Sequence, residues 1–174
     1  MAPKTQNMLF SAIVLTVALT GCDSPETGLS YPAPDNICGI PADKDLLESL
    51  LDDGDEFEQD PGFFDLEDGQ FCHMYVDGNE SVVSDGEWHE SGYTLRDHFE
   101  SYDVPGLRYF AAGKYASWDS GVATVIPCPG VSEEGDVVSV EINDMEWNEE
   151  SQSTLEKFVP EYFDAYKKKL GCRS

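Results

Sequence analysis

Positive charge is scarce in this chain. Its 174 residues include 10 Lys and Arg against 35 Asp and Glu, a formal net charge of −25 at pH 7. That balance excludes nucleic-acid binding, because the counterion release that drives it needs Lys and Arg to neutralise phosphates. Anionic lipid head groups are repelled for the same reason. Long apolar runs are equally scarce: the single one, Met8 to Leu19, is a dozen residues, well short of the ~20 that cross a bilayer core as a helix. Closely spaced cysteines are missing, which removes the paired thiolates of structural zinc sites. The histidines His73, His89 and His98 lack the i, i+4 spacing of an H-E-x-x-H helix.

What is present begins at the first residue. Met1 to Asn7 is polar with one Lys, Met8 to Leu19 is apolar, and Leu19-Thr20-Gly21-Cys22 follows. The order of parts is that of a secretory signal, with small residues leading into a Cys. This stretch resembles the lipobox of bacterial lipoproteins. The resemblance implies cleavage before Cys22, a diacylglyceryl thioether on its sulfur, and a protein held by lipid at the extracytoplasmic face of the cell membrane. Two acyl chains anchor stably where one does not. Residues 1–21 are therefore expected to be a lipoprotein signal peptide, 22–37 the lipidated Cys and a flexible tether, and 38–174 a single globular domain. The tether reading rests on DSPETGLSYPAPDNI, which has three Pro and no periodicity. In a Pro-rich extended state such a segment reaches ~40 Å.

Acidity is concentrated. Residues 43–68 carry twelve carboxylates and one Lys, and no basic residue lies between Lys114 and Lys157. The runs Asp52-Asp53-Gly54-Asp55-Glu56 and Asp65-Leu66-Glu67-Asp68-Gly69 place oxygen ligands around Gly turns. They make calcium the one cofactor to consider, with Asp53, Asp55, Asp65 and Glu67 as its ligands. The order departs from the EF-hand loop, so only weak binding in the ~10⁻⁴–10⁻³ M extracellular range is expected. Glu87-Trp88-His89-Glu90 and Asp97-His98 offer nitrogen and oxygen to a transition metal, although no spacing gathers them. Lys167-Lys168-Lys169 close the last helix, where cations complement the dipole.

Beyond Cys22 there are four cysteines, Cys38, Cys72, Cys128 and Cys172. In an exported protein they are expected to form two disulfides. Four cysteines allow three connectivities, and spacing leaves all three open. The pairing preferred is Cys38 with Cys72 and Cys128 with Cys172, since each would tie a helix end to a neighbouring strand across a few tens of residues.

Asp43 can cap a short helix carrying Leu46, Leu47, Leu50 and Leu51 on one face, with Gly54 to end it. Phe57 to Gly69 reads as a loop. Phe71 to Val76 alternates as a strand, with Cys72, Met74 and Val76 on one face, and Asp77-Gly78-Asn79 predicts a hairpin turn into Glu80 to Ser84. Leu95, Phe99 and Tyr102 support a short helix. Tyr115 to Trp118, Val122 to Pro127 and Val137 to Ile142 read as strands. The last segment is a helix capped by Ser151 or Ser153. Leu155, Phe158, Val159, Tyr162, Phe163, Tyr166 and Leu170 form its apolar stripe, and Gly171 stops it. Pro160 inside it predicts a kink or two abutting helices. The fold class expected is α+β: an antiparallel sheet packed on one face by helices, with a long C-terminal helix and two disulfides.

The layout Cys38-Gly39, Cys72 before Val76-Asp77-Gly78, Ile126-Pro127-Cys128 and Leu170-Gly171-Cys172 is similar to that of small actinobacterial surface lipoproteins of uncharacterised function. The resemblance implies a lipid anchor and disulfides and supplies no catalytic residues. Enzyme signatures are thin. Trp118-Asp119-Ser120-Gly121-Val122 lacks the flanking glycines of a nucleophile turn, and the many carboxylates single out no glycosidase pair. The function expected is a non-catalytic binding domain on the cell surface, with a cell-envelope protein or a cationic ligand as partner. The alternatives are a small envelope hydrolase or a calcium-binding protein. Replacing Cys22 by Ser is expected to release the protein from membranes or leave an uncleaved precursor. A processed Cys22→Ser protein that still sediments with membranes would overturn the lipid anchor.

Overall fold

A computed structural model describes residues 29–62, 71–100 and 103–173. Asn36–Ile37 (β1) and Ile40–Pro41 (β2) pair as a small hairpin. Helix α1, Lys44–Glu48, follows; the Asp43 carboxylate accepts from Leu46 N at 3.0 Å, the N-cap read from the sequence. The main sheet then builds from Phe57–Asp60 (β3), Phe71–Val76 (β4) and Asn79–His89 (β5). Helix α2, Leu95–Phe99, carries the chain to Arg108–Phe110 (β6), Tyr115–Trp118 (β7), Gly121–Pro127 (β8) and Val137–Asp144 (β9). Helix α3, Ser151–Leu170, closes the fold.

The seven strands are antiparallel throughout, in the order β3-β4-β5-β9-β8-β7-β6. Two meanders therefore enter from opposite edges, and β9 fills the centre between β5 and β8. The β4–β5 turn is Asp77-Gly78, both at positive φ of 50° and 77°, as a two-residue hairpin requires. β4 alternates as its sequence demands, with Cys72, Met74 and Val76 buried and Phe71, His73 and Tyr75 half-buried on the other face.

Helices α3 and α1 cover one face. The seven apolar side chains of the α3 stripe are all buried, and they join Met74, Val82, Val122, Val138, Val140 and Ile142 in the main core. Gly171 ends the helix in the left-handed conformation at φ 79°. The α+β architecture is thus the one read from the sequence, with one addition. The short α2 lies on the opposite face, where Leu95 and Phe99 meet Ala116, Trp118 and Ala123 in a second cluster. Those strand residues alternate with the ones that face α3.

Several local expectations are corrected. Residues 29–37 are more than a tether: Tyr31 and Ile37 are buried in the main core, and Tyr31 stacks on Phe57 with ring centroids 5.3 Å apart. Phe57–Asp60, expected to be loop, is the edge strand β3, because pairing with β4 supplies what its own acidic sequence does not. Helix α1 ends at Ser49, one turn before Gly54. Gly54 serves closeness instead, since a Cβ there would collide with Val76 Cγ1. The residue before α3 is Glu150, without a side-chain cap, and Ser151 Oγ accepts from Asn148 N at 2.8 Å. Pro160 lies inside one continuous helical run. Its local cost of ~3 kcal/mol is offset by buried stripe residues on both sides of it. The Tyr102 and Gly69 positions of the sequence reading lie outside the described residues.

The disulfides pair Cys38 with Cys72 and Cys128 with Cys172, at Cα separations of 6.0 and 4.7 Å. The first fastens the β1–β2 hairpin to β4; the second joins the end of β8 to the end of α3. They close 34 and 44 residues, for which loop-closure entropy gives about 4 kcal/mol each. Replacing Cys128 and Cys172 by Ala is expected to lower unfolding free energy by about that amount, read by denaturant titration. An unchanged midpoint would overturn a stabilising role for this bridge.

Candidate functional site

With α3 and α1 on one face, the other face of the sheet is covered, among the described residues, by α2 and the 103–107 loop alone. The polar members of β5 and β9 point there. Asp85, Glu87 and His89 alternate with buried Ser84, Gly86 and Trp88, and Ser139, Glu141 and Asn143 alternate with buried Val138, Val140 and Ile142. Strand register places Asp85 directly opposite Glu141 and Glu87 opposite Ser139. Helix α2 forms a wall with His98 and Phe99, and Trp118 of β7 forms the far side. Together they enclose a cleft of about 610 Å³.

Four carboxylates line this cleft, those of Asp85, Glu87, Asp103 and Glu141, and no Lys or Arg is among its described lining residues. The aromatic wall is fixed by packing. Phe99 meets Trp118 edge to face at 5.4 Å between ring centroids. The Trp118 ring lies across Gly121, where a Cβ would collide with Trp118 Cζ2 and crowd Asn143 Oδ1. The hairpin Trp118-Asp119-Ser120-Gly121 is therefore a support for an aromatic side chain. Ser120 also lines the cleft, but the neighbouring histidine is engaged elsewhere.

That histidine, His98, is held from both sides. Its Nδ1 lies 3.1 Å from Tyr93 Oη, and its Nε2 contacts Glu141 Oε1. Asn143 Nδ2 donates to Glu141 Oε2 at 3.3 Å. His89 packs beside this pair, stacked on Tyr93 at 3.7 Å, with Nε2 2.7 Å from Ser139 Oγ. Burial is the main reason that His89 titrates below the ordinary histidine range, and nearby His98 adds to it against Glu87. α2 is placed by a capping box: Asp97 N donates to Thr94 Oγ1, and Thr94 N donates to the Asp97 carboxylate at 2.8 Å.

Asp85 carries the most informative electrostatics. It keeps solvent contact, yet desolvation by the cleft walls raises its carboxyl above the usual range. Glu141 directly opposite raises it further, against a lowering backbone hydrogen bond at Gly86. The Glu141 carboxylate facing it across the adjacent strand disfavours the ionised form of Asp85. Asp85 thus has a backbone hydrogen bond but, among the described residues, no ion pair, in a cleft with aromatic walls. An arrangement of that kind suits an incoming positive charge.

The metal readings find less support in the geometry. His89 and His98 do come together, with ring centroids 6.4 Å apart, but His73, on the same face and farther along toward β4, pairs with Glu80. Among the described residues, no group of three or more His, Cys, Asp or Glu converges to hold a metal ion. Asp53 and Asp55 lie in a loop whose Asp55 and Glu56 amides donate to Asp77 Oδ1 at 3.0 and 2.8 Å. Asp65, Glu67 and Cys22 lie outside the described residues. Sequence reading missed Asp85, Asp103, Glu141 and the partnership of Phe99 with Trp118. The available signal was the polar half of the alternation in β5 and β9.

No family model matches the chain, and no curated protein or solved structure is significantly similar to it. Among the described residues, no helix is long and apolar enough to cross a membrane.

The raised Asp85 carboxyl has a consequence for stability. Its unfolded value is 3.8 and its folded value is higher. Between the two, the folded protein binds more protons than the unfolded chain, so this group's contribution falls as pH rises through that window. Asp85→Asn is expected to be more stable than the parent at neutral pH, with the gain vanishing below about 3.8. Denaturant titrations across that range check it, and a variant less stable at neutral pH would contradict the strain.

Proposed function

We propose that this protein is a lipid-anchored, extracytoplasmic binding domain, tethered through Cys22, whose open sheet face receives a cationic group from a ligand or cell-envelope partner. The observation that carries the reading is the cleft between α2 and β9, where four carboxylates and an aromatic wall meet with no Lys or Arg among its described lining residues. Each half of that lining has a part to play. A positive charge ~4 Å from a carboxylate near a protein surface gains roughly 4 kcal/mol before desolvation is counted. Stacking a cation on an indole adds ~0.5–2 kcal/mol. The carboxylates therefore dominate attraction, while Trp118 and Phe99 select for a cation that tolerates an aromatic neighbour. The overall charge of −25 steers such a partner inward from beyond contact range.

Spermidine is a suitable probe, titrated calorimetrically at constant ionic strength so that plain screening is removed. Saturable binding is expected, weakened at least tenfold, about 1.4 kcal/mol, in the double variant Asp85→Asn, Glu141→Gln. Unsaturable binding, equal in the double variant, would reduce the interaction to a diffuse counterion cloud and overturn the reading.

A further inference from the structure

The acidic cleft does not end at Asn143. Ser120 and Asn143 also line a second groove of about 380 Å³, so the two share a border and run on along the open face. The chemistry changes across that border. The second groove is walled by Phe71, Val83, Met145 and Trp147. Trp147 is 51% exposed and Met145 48%, the two most exposed large apolar side chains described in this chain. Aromatic and Met side chains at a surface, rimmed by polar groups, are the composition of a recognition patch. His73 and Glu80, which also line the groove, are paired with each other, so they leave its apolar wall in command.

We propose, resting on the cation-binding reading above, that the two grooves form one trough for an extended basic peptide segment of a partner protein. A cationic side chain sits over Asp85, beside the Glu141 carboxylate that His98 and Asn143 hold in place, and a large apolar side chain sits against Trp147 and Met145. The distance sets the spacing. Glu141 and Met145 lie four residues apart along and just past β9, ~13 Å at the ~3.3 Å rise of a strand. A peptide lying along this floor in the same extended state therefore presents the two side chains at positions i and i+4, both on one face because the side-chain period is two. Charge complementarity names the basic end, and the exposed Trp and Met name the apolar end. A small polyamine reaches the first groove only.

The test uses the purified protein in nonionic detergent and three probes: spermidine, an acetylated peptide with Lys and Trp four residues apart, and the same peptide with Ala for Trp. The Lys/Trp peptide is expected to bind at least tenfold tighter than its Ala analogue. Trp147→Ala should erase that advantage while leaving spermidine unaffected, and Trp147→Phe should restore most of it. Because Trp147 is half exposed, the variant should keep its parent's melting temperature, which is measured alongside. If Trp147→Ala leaves peptide binding unchanged while Glu141→Gln weakens both probes, the trough is overturned and the cation site stands. If Glu141→Gln weakens neither probe, both readings fall.

Discussion

Seven side chains of α3, from Leu155 to Leu170, lie against one face of the sheet, and the rest of the molecule is arranged around that contact. Each such burial contributes ~1.5–3 kcal/mol. One polar pair is matched inside it: Tyr162 Oη and Ser84 Oγ lie 2.8 Å apart, and burial raises the Tyr162 phenol far above its ordinary value. The two disulfides then hold the periphery to this core, one at the end of α3 and one at the β1–β2 hairpin. Because α3 and α1 occupy one face, the opposite face carries whatever the alternation of β5 and β9 leaves over. That remainder is polar and acidic.

The candidate site follows from this division of labour. A strand face that need not build a core can carry Asp85, Glu87, Ser139, Glu141 and Asn143 in one field. Helix α2 covers only the β7–β8 end of that face, so the acids are walled on one side and open on the other. Asp85 faces Glu141 across the strand pair, and its raised carboxyl follows from that and from burial, so a neutral side chain would meet less repulsion there. Strain of this kind is expected where a site is poised for a partner that the isolated chain lacks.

The fold was legible in the sequence to the extent that it was written in periodicity. The stripe of α3, the alternation in Phe71–Val76 and the two-residue turn at Asp77-Gly78 all emerged in place. Strand β3 and the two-residue strands β1 and β2 were not legible, because their pairing is supplied by β4 and by each other rather than by local propensity. The site was hardly legible at all. Among so many acids, Asp85 and Glu141 are 56 positions apart in sequence and become neighbours only through the register of β5 with β9. His98 joins them by a connection that the sequence expresses only as a short helix.

By itself, the sequence determined the quantities that depend on local order and composition. These are the charge, the count of cysteines, the apolar face of the last helix and the strand alternation that makes one face polar. Tertiary structure decided which of the open disulfide connectivities exists, which face α2 covers and which acids share a cleft. The physical reason is that composition and period are properties of neighbouring residues, whereas strand register and helix placement are settled by packing between segments far apart in the chain. A carboxylate's identity is fixed where it is encoded. Its environment, and with it any capacity to receive a cation, is fixed by the strand that comes to lie opposite.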